Sequence, residues 1–318
     1  MPKVAFLFPG QGSQAVGMGK AFYECSPAAR GLYAEASDML GFDLARLCFE
    51  GPEAELQLTA NTQPAILTAS VAIARVLAER GVTPELAAGH SLGEYSALVV
   101  GGALAFADAV RVVRKRGEFM QEAVPVGTGA MAAILGVDLP TVEAICREAA
   151  RPAGGGSPEV VSVANINSPA QIVIAGHRGA VERAVALAAE RGGRKSVMLP
   201  VSAPFHSPLM QPAAQQLTKE LERVVVSPPK FPVVRNVDAG LTTTADEVVP
   251  FLIRQVASPV RWAACVERMV AEGMTVFLEV GPGRVLTGLL KRITEGVKGY
   301  AVEDPASLEK ALAALVDA

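Results

Sequence analysis

Within Leu86-Ala87-Ala88-Gly89-His90-Ser91-Leu92-Gly93-Glu94-Tyr95-Ser96-Ala97, a short apolar run meets Gly-x-Ser-x-Gly and then a helical pattern. By chance alone the five-residue pattern should arise in about one sequence in eight of this composition, so its placement carries the weight. A strand that turns sharply into a helix needs residues without Cβ around a strained serine, and Gly89 and Gly93 supply them. The turn exposes Ser91 Oγ at a helix N-terminus, where the N–H of Leu92 is free to stabilise an oxyanion. Upstream, Lys3-Val4-Ala5-Phe6-Leu7-Phe8 is a continuous apolar run closed by Pro9-Gly10, as expected of a central parallel strand buried on both faces.

Between these strands the chain reads as helix-rich, with Asn61 as N-cap ahead of Pro64 and a long Ala/Ile/Leu/Val segment ending near Gly81. A helix over Phe106 to about Ala123 follows the serine. From Gly129 to Leu199 the order is strand, helix, Gly-rich loop (154–157), two strands, helix and strand, the βαββαβ order of a ferredoxin-like unit. The α/β rhythm then resumes, with strands near Val233 and at Thr275–Val280 and helices between them and to the end. The fold expected is α/β: an α/β-hydrolase-like large subdomain with a parallel sheet (1–125 and 200–318) and an inserted ferredoxin-like small subdomain (126–199).

With 29 Lys plus Arg against 32 Asp plus Glu, the net charge of −3 offers no field for a polyanion, so nucleic acid is not an expected partner. Cys25, Cys48, Cys146 and Cys265 are scattered, with no disulfide or zinc spacing, which points to a reducing, cytoplasmic setting. No apolar run has the length of a signal peptide's core or a membrane span.

A serine nucleophile needs a base, and only His90, His177 and His206 are available. His90 is adjacent to Ser91, and successive side chains at a strand end point apart. His177 sits at a helix start in the inserted unit, where an exposed or capping role is expected. His206 lies in the proline-fixed loop Ser202-Ala203-Pro204-Phe205-His206-Ser207-Pro208, where the chain re-enters the large subdomain. In an ordinary α/β-hydrolase an acid follows the serine and the histidine comes last; here no acid stands out after His206. Something neutral must orient the imidazole.

Gly10-Gln11-Gly12-Ser13-Gln14-Ala15 fits a loose dinucleotide fingerprint, but Glu35 and Asp38 fall in a helical stretch where a second strand should end. A Walker A reading fails at Met18-Gly19. The preferred use of this loop is to bring Gln11 and nearby amides to the reaction centre. In Arg114-Lys115-Arg116-Gly117-Glu118-Phe119-Met120, helical spacing puts Arg116 and Met120 on one face, and Arg111 and Lys115 on another. A pocket arginine would pair bidentately with a substrate carboxylate.

Phe8-Pro9-Gly10-Gln11-Gly12-Ser13-Gln14, Asn61-Thr62-Gln63-Pro64-Ala65, Gly89 to Ala97, Arg116-Gly117 with Met120-Gln121, Asn165 to Gln171, Ala203 to Ser207 and Glu279-Val280-Gly281-Pro282-Gly283 together resemble malonyl-CoA:acyl carrier protein transacylases over essentially the whole chain. The resemblance implies that Ser91 takes malonyl from coenzyme A and passes it to the phosphopantetheine thiol of holo acyl carrier protein, with His206 as base and then acid. It also implies that the main-chain carbonyl of Gln255 orients His206, that Gln11 and Leu92 form the oxyanion hole, and that Arg116 binds the malonyl carboxylate. Met120 and Phe205 would shape the acyl pocket, and Gln63, His90 and Asn165 are counted with the substrate-binding residues. No tightly bound cofactor is expected, coenzyme A entering as a thioester substrate, and the protein is expected to be a monomer. The alternatives are a trans-acting malonyltransferase of polyketide synthesis, a serine thioesterase or hydrolase with the same pair, and a non-catalytic carrier-protein-binding partner. Arg194-Lys195 and Lys291-Arg292 are the candidate docking cations for an acidic carrier.

Overall fold

The computed structural model describes residues 3–152, 157–201 and 203–316. Of the expected Gly-rich loop, residues 154–156 lie outside the described residues, as does Ser202 ahead of the His206 loop.

Among the described residues ten strands form two sheets: β1 (Val4–Phe8), β2 (Leu86–Gly89), β3 (Gly129–Leu135), β4 (Val161–Ser168), β5 (Gln171–His177), β6 (Lys195–Met198), β7 (Val233–Val234), β8 (Leu241–Thr242), β9 (Val276–Val280) and β10 (Lys298–Val302). The large sheet runs β10-β9-β1-β2-β7-β8. It is parallel throughout except for β8, which pairs antiparallel with β7 at the edge. β1 is central because both its faces are apolar. Val4, Phe6 and Phe8 enter one core, with the long Thr59–Glu79 helix, whereas Ala5 and Leu7 enter the other, with Trp262, Val266 and Phe277.

The small sheet runs β4-β5-β3-β6 and is wholly antiparallel, the ferredoxin-like arrangement. One face, with Ala130, Ala132, Ile134, Ile172 and Ile174, packs on helices Leu139–Ala149 and Arg178–Glu190. The opposite face gives Met131, Ala133, Val173 and Ala175 to the main core. Backbone bonds fasten the units together: Val260 N–H donates to Ala164 C=O (2.8 Å) and Ile166 N–H to Val260 C=O (2.9 Å). No helix among the described residues is long and apolar enough to cross a membrane.

Three local expectations are corrected. Asn61 is not an N-cap: the helix begins at Thr59, because the Leu58 carbonyl already accepts from Thr62 N–H (2.8 Å), and the Asn61 amide instead donates to Glu55 C=O (2.8 Å). His177 makes no side-chain cap; its Nδ1 accepts from Val160 N–H (2.8 Å), closing the β4 end of the small sheet. Strands β8 and β10 are additional. β8 has two residues, and Lys298-Gly299-Tyr300-Ala301-Val302 is a largely half-buried edge strand with little apolar signal.

Candidate active site

β1 and β2 end side by side, with Phe8 opposite Gly89, so their C-terminal loops must meet. His90 N–H donates to Phe8 C=O (2.9 Å), locking the turn after β2 to the loop after β1. The turn is too tight for a side chain at either flanking glycine. A Cβ on Gly89 would lie 1.9 Å from the Gly93 carbonyl carbon, and one on Gly93 would lie 2.0 Å from the Phe8 oxygen. Between them Ser91 adopts φ 52° and ψ −104°, and helix Leu92–Val100 begins at once. His206 is also left-handed, at φ 58°. Such backbone costs about 1–3 kcal/mol per residue and persists only where its surroundings enforce it.

The two strained residues face each other. Ser91 Oγ lies 2.7 Å from His206 Nε2, and His206 Nδ1 lies 2.9 Å from the Gln255 main-chain oxygen. A carbonyl can only accept, so Nδ1 carries the proton and Nε2 is left as the acceptor for the serine hydroxyl. Burial, with the neighbouring Arg116 charge as second cause, pulls the His206 pKa down to about 3, which keeps the ring neutral. No carboxylate is required for this orientation.

Arg116 lies on helix Phe106–Glu122, with Met120 one turn along the same buried face. Arg111 and Lys115, on the wetter side, pair with Glu220 and Glu118. Arg116 is 2% exposed, yet among the described residues its guanidinium bonds only neutral oxygens: Nη1 to Gln63 Oε1 (2.8 Å), Nη2 to Gln255 Oε1 (2.8 Å) and to Ser91 Oγ (2.9 Å). Its buried Nε has no hydrogen-bond partner among the described residues. Burial lowers its pKa, the expected response of a cation lacking a direct counter-charge. A ligand carboxylate in the cleft would supply the missing counter-charge.

Gln11, Leu92, Phe205 and Met120 border the same cleft, as do Gln63, His90 and Asn165. Gln255 stands behind it and contributes from below. Gln11 Nε2 donates to Thr59 Oγ1 (3.1 Å), and the N–H groups of Gln11 and Leu92 meet no acceptor among the described residues. His90 turns away from Ser91, as expected: its Nε2 bonds Asn167 Oδ1 (2.9 Å), and its ring lies 5.6 Å from that of Trp262. The Asn165 amide reaches His90 Nε2 at 3.4 Å.

Three residues of this centre had no assigned role in the sequence reading. Asn167 borders the cleft and lies within the Asn165–Gln171 segment, where nothing local distinguishes it from its neighbours. Glu94 follows Gly93 and is buried under the serine, where burial raises its pKa to about 7. Asn236 comes after a two-residue strand and carried no local signal; only tertiary contact brings it to Ser91.

A strained serine on a strand-to-helix turn, beside a histidine at the C-terminal edge of a parallel sheet, defines an α/β-hydrolase-like enzyme domain. The chain belongs to the acyl transferase domain family, which matches residues 5–309. It is 49% identical to the malonyl CoA-acyl carrier protein transacylase of Bacillus subtilis, over 99% of this chain and 98% of that one. It is 50% identical to the Escherichia coli K12 protein of the same name, over 98% and 99%. Among solved structures, an acyl carrier protein S-malonyltransferase from Vibrio cholerae superposes with a TM-score of 0.93 at 49% identity, over 97% and 99% of the two chains. A malonyl-transacylase in complex with a type II PKS acyl-carrier protein superposes at 0.94 and 48%, over 98% and 99%.

Proposed function

We propose that this protein moves a malonyl group from malonyl-CoA to the phosphopantetheine thiol of holo acyl carrier protein through a malonyl-Ser91 ester. The observation that carries the reading is the buried Arg116 guanidinium, without a direct carboxylate partner among the described residues and 2.9 Å from the nucleophile's Oγ. In the first half-reaction Ser91 Oγ attacks the thioester carbon as its proton passes to His206 Nε2. The oxyanion is received by the N–H groups of Leu92 and Gln11. Collapse breaks the C–S bond, and His206 returns the proton to the departing coenzyme A sulfur.

The second half-reaction runs the same steps in reverse sense: His206 takes the thiol proton of the carrier, sulfur attacks the ester, and Ser91 recovers its proton. Arg116 pairs with the malonyl carboxylate in both halves, while Met120 and Phe205 bound the acyl chain and Gln63 holds the guanidinium. His90 and Asn165 order the wall of the cleft beside Asn167. Pairing with malonate also neutralises the charge that helps to depress the His206 pKa, so the bound substrate makes the ring a stronger base.

The carrier docks, in this reading, on the cations beside the cleft mouth. Arg194, Lys195, Lys291 and Arg292 are exposed, and none is in a salt bridge among the described residues. Arg194 and Arg292 border one recess with Gln171, and Gln171 also borders the cleft. The protein is read as a monomer in the cytoplasm, where both substrates would meet it.

Intact mass after mixing with malonyl-CoA tests the proposal. The expected result is a malonyl adduct that Ser91→Ala abolishes and holo carrier protein discharges. Loss of the adduct mainly to water would make the protein a hydrolase, and no adduct would leave it a non-catalytic binder.

A further inference from the structure

Directly under the serine, Asn236 spans the turn with one fully buried side chain. Its Oδ1 accepts from Ser91 N–H (2.7 Å) and its Nδ2 donates to Gly89 C=O (2.7 Å), so the amide grips the chain before and at the nucleophile. Gln255 adds a third hold, Nε2 donating to Ser91 C=O (2.9 Å). Glu94 holds both residues from behind: its Oε2 accepts from the Asn236 backbone N–H (3.1 Å) and from Gln255 Nε2 (2.8 Å). That acceptor commits Gln255 Nε2 to this side and leaves Gln255 Oε1 for Arg116.

The left-handed backbone of Ser91 is unfavourable for a residue with a Cβ, and the surrounding bonds must hold it there. If the Ser91 peptide rotates, Oγ leaves the 2.7 Å contact with His206. We infer that Asn236 is a positioning residue for acyl transfer, clamping the serine turn from both sides so that Ser91 Oγ stays aligned with His206, with Glu94 holding the clamp in register. This rests on Ser91 being the nucleophile. A wild-type protein that forms no adduct defeats that reading, whereas a normal adduct rate in an Asn236 variant defeats only this one.

The experiment is rapid-quench measurement of Ser91 acylation by malonyl-CoA and by acetyl-CoA, alongside thermal melting. Asn236→Ala is expected to slow acylation by both donors on the order of 10²-fold, as misplacement of a reacting atom does, with KM for malonyl-CoA within about threefold. Asn236→Asp has the same shape but, ionised, presents two acceptors, one of them to the Gly89 carbonyl. Protonated, it regains the acceptor-and-donor pattern of the amide. Its acylation rate relative to wild type is therefore expected to rise at least about tenfold between pH 8 and pH 5. The titratable and charged groups around it, Glu94, Arg116, His206, Arg235, Arg261 and Cys265, are kept in both proteins, so the ratio cancels their separate titrations. Glu94, whose Oε2 accepts from the residue 236 N–H, titrates coupled to the new carboxyl and favours its protonated form in this range. An Asn236→Ala rate within about threefold of wild type, or lower melting temperature with acylation unchanged, overturns the inference. If that variant does not fold, a pH-independent Asn236→Asp ratio does so instead.

Discussion

Arg116 is the residue whose environment most constrains its ligand. A buried guanidinium bonded to Gln63, Gln255 and Ser91 and to no carboxylate favours an acyl group that brings its own charge, and penalises one that leaves the arginine as it is. Arg116→Ala is expected to lower kcat/KM for malonyl transfer by roughly 10- to 100-fold, the value of a charge-assisted bond, and acetyl transfer far less. Equal losses for the two acyl donors would remove the carboxylate role. His206 gives a second residue-scale expectation. Its pKa falls from 6.5 in the free side chain to about 3 in the fold, so between those values the unfolded chain binds a proton that the native state refuses. Stability from this group is therefore complete above about pH 6.5 and drains away on acidification, at up to about 1.4 kcal/mol per pH unit. In urea titrations, the stability difference between wild type and His206→Gln is expected to shift against wild type as pH drops from 7 to 4. Glu94 and Glu279, buried carboxyls with raised pKa, act in the opposite sense but are common to both proteins.

Helix Phe106–Glu122 delivers Arg116 by lying against the start of helix Thr59–Glu79, and Gly117 sets how closely it lies. A Cβ there would stand 2.7 Å from both Ala60 Cα and the Thr59 oxygen, which are backbone atoms and cannot swing aside. Gly117→Ala is expected to cost about 1–3 kcal/mol in denaturant unfolding and to raise KM for malonyl-CoA, because the helix moves Arg116 away from Gln63 as it retreats. An unchanged KM with reduced stability would mean the two helices adjust without disturbing the cleft. The same two helices show what periodicity can and cannot reveal. The Arg116/Met120 face and the Arg111/Lys115 face were legible because 3.6-residue spacing alone separates them. The true helix start at Thr59 was not, since it depends on where the Leu58 carbonyl finds its partner, and Asn61 looked like a cap in sequence. Strand β10 escaped for a related reason: at the sheet edge its pairing with β9 replaces the two-sided burial that marks β1.

Across the whole molecule, legibility followed the range of the interaction. The serine turn and the ferredoxin-like order are local patterns, and the large sheet follows from apolar strands joined by helices. His206 could be chosen from three histidines, and the neutral orienter was inferred to exist, but its identity as the Gln255 carbonyl came from the family resemblance. Asn236 and Glu94 became functional candidates only once folding had brought Asn236 onto Ser91 across a sequence separation of 145. The surface poses a similar problem, because charge pairs far apart in sequence read as ordinary solvated residues. Folding sets Arg194 of the small subdomain and Arg292 of the large one on a single recess beside the cleft, which gives a net −3 protein a local cationic edge. Such exposed charges steer association more than they bind, and salt screens them over about 8–10 Å. The double reversal Arg194→Glu/Arg292→Glu is therefore expected to lower kcat/KM for carrier protein about tenfold at low salt. The defect should shrink as ionic strength rises, while acylation at saturating malonyl-CoA stays within about threefold. A defect insensitive to salt, or one equally large in the acylation half-reaction, would place carrier docking elsewhere and return these cations to the solvated surface.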